Sequence, residues 1–506
     1  MLCALPRRLY SPAQTRELDR IAIEDCGIPG YQLMCRAGRG AFDLLCLRWP
    51  AARRALVVCG AGNNGGDGFV VARHLLRAGR EVQALLLGEA EQLGGDARRA
   101  YDDFRAAGGT LVDAGEVDWR RAEVIVDALF GSGLARPVRG AAAQLIGEIN
   151  DCAAPVLAVD LPSGLDAATG SVLGVAVEAE ATLTFIGCKR GLLTHQGPDH
   201  CGALFCDDLD VPAQVYAAVE GAVRRVDADS FPELWRPRRR ASHKGSYGHV
   251  AVVGGAPGML GAAQMAAGAA LRVGAGRSTV VTAAVNLSRA NGHMPELMSR
   301  AADDAAAAGE ALRGMDVVAI GPGLGDAPWA EDMLGAALAS GKPLVVDADA
   351  LNLLARGGSR RLDGAIATPH PAEAARLLGT ATAAVQADRF AALRALQQRY
   401  GGIWILKGNG TLICDADDCL LVDAGNPGMA SAGMGDLLTG SVAGLLAQGL
   451  PPLVAAAGGA WLHASAADRA ARRGGMAGLL ATDLLGELRR LREPRIAGSG
   501  SGCGRC

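Results

Sequence analysis

The sequence predicts an α/β protein of two domains, each built on a largely parallel sheet, and three observations carry that expectation. Short, continuously apolar runs alternate with segments of helical period, the pattern of strands covered by helices on both faces. Clusters of glycine and polar residues come directly after those runs, where a parallel sheet opens to a ligand. The chain has 506 residues, 50% apolar and 20% charged, which is close to globular averages and enough for two cores of domain size.

In the first half the apolar runs are ALVVC (55–59), VQALLL (82–87), VIVDAL (124–129), VLAVDL (156–161) and TLTFI (182–186). Stretches such as VVARHLLRAG separate them, with apolar residues at helical spacing. The segments at the carboxyl ends of these runs carry the chemistry. GAGNNGGDG (60–68) comes after the first, and FGSGL (130–134) after the third, with Asp127 near that strand's end. The fourth ends in VDLPSG (159–164), and the fifth leads into IGCKRGLLT (186–194). Asn64, Asp127, Asp160, Ser163 and Lys189 are therefore expected on one rim. Serial glycines expose backbone N–H groups to phosphate, helped by the positive end of the following helix. Asn, Asp and Ser oxygens are hard ligands suited to an alkali cation. Taken singly, Asp127 and Asp160 would also serve as helix caps, and Lys189 as a surface charge. Lysine is scarce, however: only Lys189, Lys244, Lys342 and Lys407 occur among 50 basic residues. The GxGxxG spacing of Gly60, Gly62 and Gly65 also suits a hydride-transfer dinucleotide enzyme, for which Glu89 would be a loosely fitting ribose-binding acid.

Residues 212–240 are irregular and end in FPELWRPRRR, the best linker candidate. The expected domains are 1–222 and 223–494, with a Gly/Ser-rich, disordered tail at 495–506. Six further runs lie beyond the linker: HVAVVG (249–254), STVVTA (278–283), DVVAIG (316–321), PLVVDA (343–348), AIAT (365–368) and GIWILKG (402–408). No G-x-x-x-x-G-K-[ST] loop is present, so a P-loop is excluded. Instead GNPGMASAGMGD (425–436) leads into an apolar helical pattern. Asp436 falls in its first turn, where backbone N–H groups and the helix dipole face outward. An anion hole beside a carboxylate is what phosphoryl transfer needs; alone, Asp436 would read as a helix-start acid. GPGLG (321–325), VVDADALN (345–352), TPHPAE (368–373) and KGNGT (407–411) each stand at the end of another strand. The prolines flanking His370 disfavour helix before it and leave the imidazole on a strand-end loop.

Composition excludes other classes. The formal charge is −3 and no long basic block occurs, so binding to nucleic acid or a membrane surface by bulk charge is not expected. No apolar run of about 20 residues is present, and the N-terminus lacks the apolar core of a secretion signal. Thirteen cysteines lack regular spacing; most, such as Cys46, Cys59 and Cys188, read as small core residues of a reduced, cytoplasmic protein. Cys503 and Cys506 have CxxC spacing with no second pair nearby, so a frayed end is expected there rather than zinc.

LMCRAG (33–38), GAGNNGGDG, VDALFGSGL (126–134), VDLPSG and FIGCKRGLLT (185–194) together resemble the NAD(P)H-hydrate epimerase family, across about residues 9–215. The resemblance implies a Rossmann-like parallel-sheet sandwich and epimerisation at C6 of hydrated NADH or NADPH. It implies potassium at Asn64, Asp127 and Ser163. It places the damaged dinucleotide along Asn63, Asn64, Gly65, Gly66 and Asp67, along Gly131, Ser132, Gly133, Leu134, Ala135, Arg136 and Pro137, and at Asp160. Asp160 would shuttle the proton and Lys189 would orient the site.

From about Val226 to Arg492 the motifs HKGSYGHVAVVGG (243–255), GPGLG, VVDADALN, TPHPAE, KGNGT and GMGD resemble the ADP- or ATP-dependent NAD(P)H-hydrate dehydratases, a branch of the ribokinase-like fold. That resemblance implies contacts of Ala262, Gly323, His370 and Asp436 with the hydrated dinucleotide. Lys407, Gly408, Asn409, Gly410, Thr411 and Gly435 would hold the nucleotide, and Asp436 would be the base. ADP as phosphoryl donor and magnesium are implied, as is a homo-oligomer with no nucleic-acid or membrane partner. Ala432 departs from the family, which has glycine there. The leading expectation is one bifunctional metabolite-repair enzyme. The alternatives are a kinase for a vitamin precursor or sugar with a non-catalytic first domain, and a scaffold module bearing a spent site.

Overall fold

The computed structural model describes residues 5–358 and 360–493; the tail expected at 495–506, with Cys503 and Cys506, lies outside them. The chain divides into two compact units, Met1–Arg225 and Val226–Cys506, three residues past the boundary expected at 222.

The strands of the first unit are β1 (Arg8–Tyr10), β2 (Arg54–Cys59), β3 (Glu81–Leu86), β4 (Val124–Ala128), β5 (Val156–Val159), β6 (Ala181–Phe185), β7 (Cys188–Lys189), β8 (Ala203–Asp207) and β9 (Val223–Arg225). Six of them form an all-parallel sheet in the order β3-β2-β4-β5-β6-β8. Every residue of β4, β5 and β6 is buried, which is why these strands read as unbroken apolar runs. Alternate residues serve opposite faces: Val57 and Cys59 join the core that holds Phe69 and Leu44, while Leu56 and Val58 join Ile146 and Ile149. The chain passes from β2 outward to β3 and returns to β4 on the other side. The loops after β2 and β4 thus flank a topological switch point, where ligands of such sheets bind. A methyl group at Gly65 would stand 1.8 Å from the Gly60 carbonyl oxygen, so this turn accepts only glycine. β1 pairs in parallel with β7 and antiparallel with β9, and Tyr10 is in register with Lys189.

The second unit holds β10 (His249–Val253), β11 (Arg277–Thr282), β12 (Met298–Ala301), β13 (Val317–Ile320), β14 (Leu344–Val346), β15 (Ile366–Ala367), β16 (Ile403–Leu406), β17 (Thr411–Cys414) and β18 (Cys419–Val422). Their order is β12-β11-β10-β13-β14-β15-β16-β17-β18. Pairing is parallel from β12 to β16 and antiparallel through β17 and β18. The switch point here lies between β10 and β13. The loops after β13, β14, β15 and β16 succeed one another along the carboxyl edge.

Three helices, Leu260–Arg272, Met434–Ala447 and Leu484–Leu491, end around one hollow of about 1010 Å³ lined by six arginines. The last carbonyls of a helix lack partners within it and favour a cation nearby. Arg492 Nε donates to the Val273 carbonyl at 2.9 Å, Gln448 Nε2 to the same oxygen at 3.2 Å, and Arg238 to that of Gly274. The two arginines and the glutamine thus cap the C-terminal end of the helix Leu260–Arg272.

Helices Met434–Ala447 and Leu260–Arg272 pack backbone to backbone: a methyl group at Gly440 would stand 1.9 Å from the Ala266 carbonyl oxygen. Alanine gains about 1 kcal/mol of helix propensity over glycine, but overpacking a core costs about 1–3 kcal/mol. Gly440→Ala is therefore expected to lower stability in urea denaturation monitored by tryptophan fluorescence; equal or raised stability would show that the helices separate freely. No helix among the described residues is long and apolar enough to cross a membrane.

Candidate active sites

In the first unit a cavity of about 780 Å³ opens at the carboxyl edge, between the loops after β2 and β4. Asn63, Asn64, Asp67, Asp160 and Lys189 line it, with residues 131–136. Gly65, Gly66 and Pro137 are not part of that lining; Gly65 and Gly66 are buried in the first turn of the helix Asn63–Arg77, and Pro137 is exposed.

Two clusters lie at this edge; Asp127 and Ser163, which make up the first, are fully buried and are not part of the cavity lining. Asp127, fully buried at the end of β4, accepts from the Ser163 hydroxyl at 2.6 Å, from Ser163 N at 2.8 Å and from Leu129 N at 3.3 Å. Burial pushes its carboxyl up to about 6, against the pull of those hydrogen bonds. Ser163 Oγ also accepts from Phe130 N at 2.9 Å, tying the loop after β5 to the loop after β4. Asp160 comes directly after β5 with φ +71°, a left-handed conformation that is strained for a residue with a Cβ. Its carboxylate accepts from the buried Lys189 ammonium and, at 3.3 Å, from Ser132 N. Lys189 also donates to the Phe185 carbonyl at 2.9 Å. A methyl group at Gly131 would lie 3.3 Å from Asn64 Cβ and 3.5 Å from Asp160 Oδ2, so that loop joins the two clusters.

Both polar atoms of the buried Asn64 amide lack a hydrogen-bond partner in the protein. Leaving an amide buried and unpaired costs about 1–3 kcal/mol, and a bound ion or substrate group is the ordinary remedy. Asp67 and Asp19 add two more carboxyls to the cavity. Burial, with Asp160 and Asp19 nearby, raises Asp67 well above the usual carboxylate range; burial also lifts Asp19 to about 6 although Lys189 opposes it. Asp19 lies on the helix Pro12–Arg20, in a segment with no glycine cluster or apolar run to single it out.

In the second unit Asp436 occupies the first turn of the helix Met434–Ala447, behind Gly433 at φ +88°. Ala432, the departure from the family pattern, is not among the residues with positive φ, so the missing glycine creates no strain. Burial raises the Asp436 carboxyl to about 7, reinforced by Asp347 and Asp349 and opposed by Lys407. Lys407 Nζ lies 2.7 Å from Asp347 Oδ1 and 3.7 Å from Glu373 Oε2. Burial lowers the Lys407 pKa, but these carboxylates outweigh it and the net shift is upward. His370 caps the helix Pro371–Leu378: its Nδ1 accepts from Ala372 N at 3.1 Å, while Glu373 accepts from His370 N at 2.7 Å. Burial, then Lys407 and Arg376, lower the imidazole pKa. Ala262 and Gly323 face each other at the switch point, where a methyl group at Gly323 would stand 3.2 Å from Ala262 Cβ.

The KGNGT loop has a support that the sequence did not reveal. The buried Arg389 donates to the carbonyls of Leu406, Lys407 and Gly410 at 3.2–3.3 Å. Asp468 likewise accepts from Gly425 N and Asn426 Nδ2 at 3.0 and 2.9 Å, fixing the loop before the helix that carries Asp436.

Residues 30–191 match the family described as YjeF-related protein N-terminus, and residues 250–490 that described as NAD(P)H-hydrate dehydratase. A bifunctional NAD(P)H-hydrate repair enzyme of Coxiella burnetii is 48% identical over 490 residues, covering 96% of this chain and 99% of that one. The enzyme of the same name from Escherichia coli is 42% identical, covering 97% and 95%. A ribokinase-like superfamily structure from Enterococcus faecalis aligns with a TM-score of 0.50 at 29% identity, covering 53% of this chain and 95% of that one.

Arg389→Met would leave the carbonyls of Leu406, Lys407 and Gly410, at the start of and within the KGNGT loop, without their guanidinium. An expected loss of about 2–4 kcal/mol would accompany faster amide exchange across residues 407–411. Unchanged exchange there would show that the loop holds itself.

Proposed function

The chain belongs to the family of bifunctional NAD(P)H-hydrate repair enzymes, and we propose that its first unit epimerises hydrated NADH or NADPH at C6 while its second dehydrates the S form at the expense of ADP. The observation that carries this reading is the carboxyl of Asp436, raised to about 7 beside Lys407 at a helix N-terminus.

C6 of the hydrated ring bears both a hydroxyl and the ring nitrogen. In the first unit the hydroxyl accepts a proton and leaves as water, pushed by the nitrogen lone pair. Water then adds to either face of the planar iminium, and its proton returns to the protein. Asp160 makes that exchange in this reading, which is supported by its position in the cavity lining and its pairing with Lys189. Asn64, Asp127 and Ser163 supply an amide, a carboxylate and a hydroxyl, an oxygen set that fits potassium, and the unpartnered Asn64 amide supports the assignment. The ion would supply fixed positive charge near the polar ends of the substrate.

In the second unit Asp436 takes the proton of the C6 hydroxyl, whose oxygen attacks the terminal phosphate of ADP, and AMP leaves. Phosphate is then a good leaving group. The C6–O bond breaks with the help of the ring nitrogen, and loss of a proton from C5 restores the dihydronicotinamide. Lys407 and the backbone of residues 408–411 face the phosphates. Among the described residues no group of three or more His, Cys, Asp or Glu is placed to hold a metal ion. In this reading magnesium travels with the phosphates, screening their charge, with one or two protein carboxylates completing its shell.

Mixed hydrate epimers supplied with ADP should return their full dihydronicotinamide absorbance. Asp436→Asn is expected to abolish that return, while Asp160→Asn should leave only the S form repaired. Equal loss of both epimers in Asp160→Asn would refute the division of labour. A stable phosphorylated alcohol without recovered absorbance would instead indicate a small-molecule kinase. Because Asp436 acts as a base, its protonation below about pH 7 should lower the dehydration rate. A rate flat from pH 8 to about 5.5 would exclude that role.

A further inference from the structure

We propose that Asp347 is a positioning residue for phosphoryl transfer in the second unit, holding the Lys407 ammonium beneath the first turn of the helix that carries Asp436. The proposal rests on the dehydratase reading above.

Asp347 comes immediately after β14 and is 1% exposed. Each carboxylate oxygen has its own partner. Oδ1 accepts from Lys407 Nζ at 2.7 Å, and Oδ2 accepts from the Thr439 hydroxyl at 2.7 Å. Thr439 is fully buried in the helix of Asp436, one turn beyond Gly435. A single carboxylate therefore joins the nucleotide loop to the helix that bears the base. The junction is tight: a methyl group at Gly435 would lie 3.3 Å from Lys407 Nζ and 3.7 Å from Asp347 Oδ2. The ammonium thus rests against the backbone of the residue preceding Asp436.

The backbone at Asp347 is constrained too. Ala348 has φ +46°, strained for alanine, and such strain persists only where surrounding structure enforces it. The Asp347 carbonyl also packs against Gly321, where a methyl group would stand 1.8 Å away.

Lys407 has a second, longer contact with Glu373, at 3.7 Å. A terminal phosphate entering the site would replace that weaker contact, while Asp347 keeps the ammonium in place. Asp347 also faces Asp436 as a like charge, together with Asp349 and against Lys407; Glu373, His370 and the buried His463 are the further titratable groups near Lys407. Asp347 thus has two effects. It orders the cation on which transfer depends, and it makes Asp436 more basic.

The test is the nearly isosteric variant Asp347→Asn in the full chain, with ADP and the S hydrate. Its kcat is expected to fall about 10- to 100-fold, the usual effect of removing a group that orients a reacting one. The ADP dissociation constant by calorimetry should change by less than about threefold, since residues 408–411 still bind. The acidic limb of the rate profile should move about one unit to lower pH, because Asp436 loses a like-charged neighbour. Wild-type kcat and an unmoved limb would overturn the proposal, and so would loss of ADP binding in step with kcat, which marks a structural role. Thr439→Val and Thr439→Ser are a second pair. Valine removes the hydroxyl and should lower kcat with little change in ADP affinity, and serine should restore the rate; a fully active valine variant would overturn the brace. A wild-type chain without dehydration activity would remove the dehydratase reading together with this proposal. An active wild type with indifferent variants would remove only the proposal.

Discussion

A lysine ammonium paired with an aspartate at the end of a parallel strand recurs in both units, and most of the site architecture depends on it. Lys189 meets Asp160, and Lys407 meets Asp347. Removing a charge from water costs several kcal/mol unless a partner compensates, so each lysine dictates where an aspartate must stand. Each pair then constrains its neighbours. Asp160 adopts left-handed backbone, Ala348 does so beside Asp347, and Gly435 is small because an ammonium rests against it.

Several carboxylates outside these pairs are raised. In the second unit Asp436 shares one ammonium with Asp347 and Glu373, and its position in a buried, acid-rich corner raises it to about 7. In the first unit Asp67 and Asp19 are raised for the same reasons, burial first and neighbouring acids second. A base near neutrality is what removal of the C6 hydroxyl proton in the second unit needs.

The two units also show how one sheet geometry supports different chemistry. Both open at a switch point and both present strand-end loops. The first lines its cavity with Asn64, Asp19, Asp67, Asp160 and Lys189 and leaves the Asn64 amide unsatisfied by protein. The second presents a helix N-terminus and a glycine-bearing loop, groups suited to an anion. The local chain after each strand distinguishes them, since the ladders themselves are alike.

Much of this was legible in the linear chain. Continuous apolar runs identified the buried parallel strands, because both faces of such strands must be apolar. Strand-end motifs marked Asn64, Asp127, Asp160, Ser163 and Lys407, because each parallel sheet delivers such positions to its carboxyl edge, and the start of a helical pattern marked Asp436. Short elements escaped: β7 has two residues and β1 and β9 three each, too few for a period, and the antiparallel β17 and β18 have no signal distinct from a parallel strand of that length. Asp19, Arg389 and the pairing of Asp347 with Lys407 escaped for another reason. An aspartate on an amphipathic helix, or one arginine among many, looks like a solvated charge until packing encloses it. The chain's local chemistry thus determined which groups could react, and only the folded contacts decided which of them lost their water and so acquired a partner.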